Sequence, residues 1–132
     1  MTETLMHKGS CLCGTVKYEV RGKLGAAIYC HCSRCRKATA TAFATNAAVA
    51  ASDFVIEGES ALKTFDSSPG VHRIFCSNCG SPVISSRDAM PDVVRLRLGT
   101  LDTPLLAPPT AHYFVTSKAV WYEIHDDLPQ FA

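Results

Sequence analysis

Seven cysteines in a chain of 132 residues, grouped two, three and two, constrain this sequence more than any other feature. Cys11-Leu12-Cys13 lies near the start, Cys30-His31-Cys32-Ser33-Arg34-Cys35 follows, and Cys76-Ser77-Asn78-Cys79-Gly80 comes past the middle. A chain of this length can bury a real core without crosslinks. An odd cysteine count also leaves a complete disulfide framework one partner short. Four sulfurs plus three is instead a natural division for two metal sites. The plain alternative for each pair is a buried or redox-active thiol pair.

The two outer pairs read as knuckles. A zinc knuckle needs two thiolates on a tight turn, both facing one ion at about 2.3 Å. Cys76 and Cys79 have the two-residue spacing, and Gly80 follows where a positive φ is often required. Cys11 and Cys13 are separated by one residue, a less usual spacing that an irregular loop can still direct to one ion. Four thiolates make a closed tetrahedral site of the structural type, whose binding energy belongs to folding. The triple Cys30, Cys32 and Cys35 leaves a fourth position, the pattern of a catalytic zinc site. Three thiolates around a dication give a net charge of −1, which weakens the Lewis acid and suits a soft fourth ligand such as a substrate thiolate. Iron at the triple is equally compatible with the spacing. Nearby cations would help a fourth thiolate bind, and Arg34, Arg36 and Lys37 are the candidates; their bland reading is a solvated basic turn. His31 is a candidate for the fourth ligand or for lining the site, but in an extended segment its side chain points opposite to Cys30 and Cys32. Lys118 is a candidate partner for a substrate carboxylate. His112 and His125 read as structural or surface residues, Asp126-Asp127 as a solvated terminal turn, and Trp121 as core. No general base stands out.

The rest of the chain reads as many short strands. Lys17-Tyr18-Glu19-Val20 continues an alternation from Thr15 that puts Val16, Tyr18 and Val20 on one face. Val93 to Leu98 alternates too, with Val94, Leu96 and Leu98 inward and Arg95 and Arg97 outward. Ala26 to Cys30, Phe54 to Gly58, Ala61 to Phe65, and the pair Val71–Phe75 and Val83–Ser86 around the second knuckle read as strands, with Ser67-Ser68-Pro69-Gly70 a loop tip. His112–Val115 and Trp121–Ile124 look extended. One short helix is expected from about Arg34 to Thr39, capped by Ser33. Residues 1–9 read as a loosely held terminus. The expected fold is therefore mostly β with at most one or two short helices, in one domain spanning 1–132.

Composition narrows the partners. Thirteen basic against twelve acidic residues give a net charge of +1, which argues against an electrostatic nucleic-acid or membrane binder. No apolar leader pattern or membrane-length run is visible, so a cytoplasmic protein with reduced thiols is expected. Oligomeric state is not legible.

The motifs resemble a known family. Gly9-Ser10-Cys11-Leu12-Cys13-Gly14, Cys30-His31-Cys32-Ser33-Arg34-Cys35-Arg36-Lys37, Phe75-Cys76-Ser77-Asn78-Cys79-Gly80-Ser81-Pro82, Gly99-Thr100-Leu101-Asp102, and a closing segment with Ser117-Lys118-Ala119, Trp121 and Asp126–Phe131 are similar to the glutathione-dependent formaldehyde-activating (GFA) family, the GFA/CENP-V domain. The resemblance covers about residues 9–131. It implies an Mss4-like β-tent, a structural zinc on Cys11, Cys13, Cys76 and Cys79, and a catalytic zinc on Cys30, Cys32 and Cys35, two per chain. It also implies a carbon–sulfur lyase that condenses formaldehyde with glutathione to S-(hydroxymethyl)glutathione. Two positions depart from the family pattern: Ala40 stands where Gly is usual, and Val120 where Pro commonly precedes the tryptophan. The competing functions are a non-catalytic zinc module that binds a macromolecule and a thiol redox sensor built on the triple.

Overall fold

The computed structural model describes residues 6–132. Among these residues ten strands form two sheets. β1 (His7–Ser10), β2 (Lys17–Val20) and β5 (Phe54–Glu57) make a three-stranded antiparallel sheet in the order β1-β2-β5. The other strands are β3 (Ile28–Cys30), β4 (Ala44–Ala50), β6 (Leu62–Ser68), β7 (Val71–Cys76), β8 (Pro82–Arg87), β9 (Met90–Arg97) and β10 (His112–Tyr113). They form a seven-stranded sheet in the order β10-β3-β4-β9-β8-β7-β6, antiparallel except for the β10–β3 pair. A single α-helix, α1 (Ser33–Thr39), follows β3. This is the mostly-β, Mss4-like architecture expected.

The register of the large sheet explains its two faces. Ile74, Ile84, Leu96 and Ala47 pair in a row across β7, β8, β9 and β4, and all four pack in or against the apolar core with Val16 and with Tyr18 and Val20 of β2. Each fully buried Val or Leu there contributes about 1.5–3 kcal/mol relative to exposure. Side chains alternate along strands, so a row shifted by one residue faces the other way. That row is Arg73, Ser85, Arg95 and Ala48. The alternation expected for Val16–Val20 and Val94–Leu98 therefore holds. What differs is the meaning of "outward": Arg97 is only 6% exposed, because this second face lines a cavity rather than open solvent.

Three further readings change. Of residues 1–9, expected to be loose, residues 7–9 belong to β1 and pair with β2; the expectation for residues 1–5 lies outside the described residues. Gly9 is needed there, since a Cβ would sit 2.2 Å from the Tyr18 hydroxyl oxygen and 2.5 Å from the Thr100 carbonyl oxygen. α1 starts one residue early because Cys32, not Ser33, caps it: the Cys32 sulfur accepts from the Cys35 N–H. Trp121 is 71% exposed in a turn, not core, and Trp121–Ile124 pairs into no strand. No helix among the described residues is long and apolar enough to cross a membrane.

Candidate metal centres and the adjoining cavity

Both cysteine groups assemble, each with its sulfurs within 4.8 Å of one another: Cys11, Cys13, Cys76 and Cys79 in one, Cys30, Cys32 and Cys35 in the other. All seven are free thiols.

In the first group the knuckles grip each other. The Cys11–Cys13 and Cys13–Cys76 sulfurs are 3.6 and 3.8 Å apart. A zinc tetrahedron with bonds of about 2.3 Å has edges of about 3.8 Å, so the donor set fits that ion. Each turn closes on a glycine in the left-handed region, Gly14 at φ 80° and Gly80 at φ 78°, and Gly80 N–H donates to the Cys76 carbonyl at 2.7 Å. Cross-links between turns are polar: Leu12 N–H to the Ser81 hydroxyl at 3.0 Å and the Asn78 amide to the Thr15 hydroxyl at 3.3 Å. The hydrogen bond from the Ser81 side chain is the main cause drawing the Cys79 thiol down to about 5. Burial is the main cause pushing Cys76 up to about 11.

The second group is built by the end of β3 and the start of α1. The Cys35 thiol is drawn down to about 5, first by a hydrogen bond from Cys30 and then, against burial, by Cys32, Arg97 and Arg73. The same bond and burial push Cys30 upward. Both Nη atoms of Arg73 lie 3.9 Å from the Cys35 sulfur. Arg97 donates to the Asn46 carbonyl oxygen. Three soft donors on a short segment, two of them buried, suit a thiophilic ion such as zinc.

Beside this triple opens a cavity of about 450 Å³ lined by Cys30, Cys35 and the four arginines 73, 87, 95 and 97. Tyr113 and Phe114 form an aromatic edge, and Phe114 holds a left-handed backbone at φ 58°, a conformation that costs a non-glycine residue about 1–3 kcal/mol and gathers at functional sites.

The cations named from sequence lie elsewhere. Arg34 and Lys37 are exposed on α1, and Arg36 donates to the Ser117 carbonyl at 3.2 Å. Lys118 donates to the Ala119 and Tyr122 carbonyls. None of the four lines the cavity. His31 is fully buried and faces away from the sulfurs, its Nε2 2.8 Å from His112 Nδ1. His112 Nε2 is in turn 3.0 Å from Asp126. This chain of contacts from His31 through His112 to Asp126 ties the Cys30–Cys32 segment to the C-terminal segment. Burial lowers His31 further from protonation. Sequence reasoning missed all four cavity arginines. The available signal was the alternation Arg95-Leu96-Arg97, mirrored by Arg73-Ile74 on β7.

Ala40 ends α1 in the left-handed region at φ 59°. Its N–H donates to the Arg36 carbonyl at 2.7 Å. This is a C-terminal cap at which glycine is unstrained, which explains why Gly is usual there in the resembling family.

Residues 6–117, well over half the chain, match the family model described as glutathione-dependent formaldehyde-activating enzyme. A Halomonas elongata protein provisionally named a glutathione-dependent formaldehyde-activating enzyme is 30% identical over 129 residues, covering 91% of this chain and 82% of that one. A Rhodobacter sphaeroides protein of known crystal structure is similar at a TM-score of 0.63 and 27% identity, covering 75% of this chain and 91% of that one. This chain belongs to the glutathione-dependent formaldehyde-activating family.

Proposed function

We propose that the chain is a zinc-dependent carbon–sulfur lyase acting on a small-thiol adduct, with the formation of S-(hydroxymethyl)glutathione from glutathione and formaldehyde as the first reaction to test. The observation that carries this reading is the contrast in surroundings. Four sulfurs close on one another in the first group, whereas in the second Cys30 and Cys35 stand at the wall of a ligand-sized, arginine-lined cavity. In this reading Cys11, Cys13, Cys76 and Cys79 hold a structural zinc, and Cys30, Cys32 and Cys35 hold the ion that serves catalysis. When bound at the triple, zinc would supply charge to keep a substrate sulfur deprotonated near neutral pH.

The chain's own residues account for the rest. In the condensation a sulfur lone pair forms the S–C bond, the carbonyl π bond breaks, and the oxygen takes a proton from solvent. The Arg73 and Arg97 guanidiniums offset the negative charge that a fourth sulfur adds beside Cys35, and they remain to meet charge developing on the oxygen. Buried His31, held at Nε2 by His112, fixes the loop between Cys30 and Cys32. The sheet floor and the Tyr113–Phe114 edge form the apolar part of the cavity wall.

The test is exchange NMR of glutathione with labelled formaldehyde. Wild-type protein should accelerate the interconversion above its spontaneous rate, and Cys32→Ser should abolish the acceleration while leaving the fold intact. No acceleration by zinc-replete wild type with this pair, nor with other thiols and aldehydes, would remove the lyase reading.

A further inference from the structure

We propose that the cavity beside Cys30 and Cys35 is an anion site that selects, among small thiols, those carrying two acidic groups and no ammonium group. The inference rests on the thiol reading of the same site and narrows the substrate class.

Its basis is a charge imbalance. Four guanidiniums line one hollow, and among the described residues no aspartate or glutamate lines it with them. Among the described residues none of the four pairs with a carboxylate: the ion pairs involve Lys8, Arg21, His72, His112 and His125 instead. Arg87 and Arg95 make no side-chain hydrogen bond to the described residues, while Arg73 and Arg97 reach only Cys35 and Asn46. Arginine does not shed its charge at neutral pH, so clustering four of them has a standing cost in repulsion, to which the burial of Arg97 adds desolvation. The sheet creates the cluster by register, placing Arg73 and Arg95 either side of the small Ser85, with Ala48 beyond. The small residues leave the space, and the long ones supply a ring of donors around it.

Three thiolates around a dication offset one of the four positive charges. A substrate thiolate offsets a second, and two carboxylates, sulfonates or phosphate charges on the same molecule would offset the remaining two. Guanidinium forks also match planar carboxylates in geometry. An α-ammonium group finds no acidic partner here and meets like charge. Glutathione satisfies this site only in part, since it brings two carboxylates but also one ammonium. The volume of about 450 Å³ lies in the range of small-molecule sites.

The test is calorimetric titration of the zinc-loaded chain in anaerobic, phosphate-free buffer at low salt. The probes are mercaptosuccinate, 3-mercaptopropionate, cysteine and the sulfur-free succinate. Mercaptosuccinate should bind at least about tenfold more tightly than 3-mercaptopropionate, and cysteine should be weaker still. Arg87→Met and Arg95→Met, at residues without internal partners, should each erase most of the mercaptosuccinate advantage at unchanged metal content and melting temperature. Arg95→Glu should shift preference toward cysteine. Equal affinity for mercaptosuccinate and cysteine, or an order of affinities that survives both methionine variants, would overturn the proposal. If succinate binds with the same arginine dependence but mercaptosuccinate gains nothing from its sulfur, the anion site stands and the thiol reading of the triple falls.

Discussion

The two cysteine groups use the same donor atom and end up in opposite surroundings. The four-sulfur group is made of two turns that hold each other, closed by Gly14 and Gly80 and cross-linked through Ser81 and Asn78. Its sulfurs meet one another and polar groups of the same turns, Thr15, Val16 N–H and Ser81. The three-sulfur group sits where a strand becomes a helix, and its neighbours are arginines and a hollow. The lesson is that ligand chemistry alone does not divide a structural from a reactive site. The division lies in whether the surrounding backbone spends its hydrogen bonds on closing the site or leaves one side to side chains that a ligand must satisfy.

The largest effect should separate the groups outright. If the four-sulfur group holds zinc as proposed, Cys79→Ser removes a ligand from a site whose binding would contribute about 10–16 kcal/mol, as much as the whole stability of a domain, about 5–15 kcal/mol. Soluble folded protein should be lost. Cys32→Ser should fold, because serine also caps a helix well and Cys32 is the residue capping α1; elemental analysis should find one ion fewer. If both variants unfold alike, the comparison breaks.

His112→Ala sharpens it from the side of the triple. The change strands the buried His31 Nε2 and opens a cavity, for a cost of about 2–4 kcal/mol in chemical denaturation. It should also loosen the ion at Cys30, Cys32 and Cys35 while leaving the four-sulfur group untouched. Equal loosening of both ions would contradict the tie. Ala40→Gly relieves the left-handed cap beside the triple and should raise stability by about 1 kcal/mol. A fall in melting temperature would show that the cap is not strained.

The smallest effect belongs to a residue away from both groups. His72 bonds Asp66 at 2.6 Å and Asp88 at 2.7 Å, and its pKa is raised, first by Asp66 and then by Asp88. A raised folded-state pKa gives stability that is fully present below the ordinary value near 6.5 and is lost as pH rises through the folded one. The gap between wild type and His72→Gln should thus be widest near pH 6 and close at alkaline pH. Metal content should be the same in both proteins. A gap that grows with pH would reverse the assignment.

How much of this was readable beforehand follows from how local each signal is. The cysteine grouping, the Gly80 turn, the short helix and the β2 alternation depend on neighbours a few residues apart, and they survive in the structure. The cavity does not work that way. Arg73, Ser85 and Arg95 meet only because β7, β8 and β9 pair in one register, and register is set by the whole sheet. Arg34, Arg36 and Lys37 attract attention because they adjoin the cysteines in sequence, yet the helix turns them toward solvent or toward Ser117. Residue type alone points Trp121 to the core, and the turn after Ala119 exposes both it and Val120, which is 97% exposed.

The most direct test of the central claim is metal content per chain by elemental analysis, before and after a chelator of moderate strength, with and without a small thiol. The account predicts close to two zinc ions per chain, one removed by the chelator without unfolding and perturbed by the thiol, and the other released only when the fold is lost. A single tightly held ion indifferent to thiols, or two ions lost together with the fold, would contradict it.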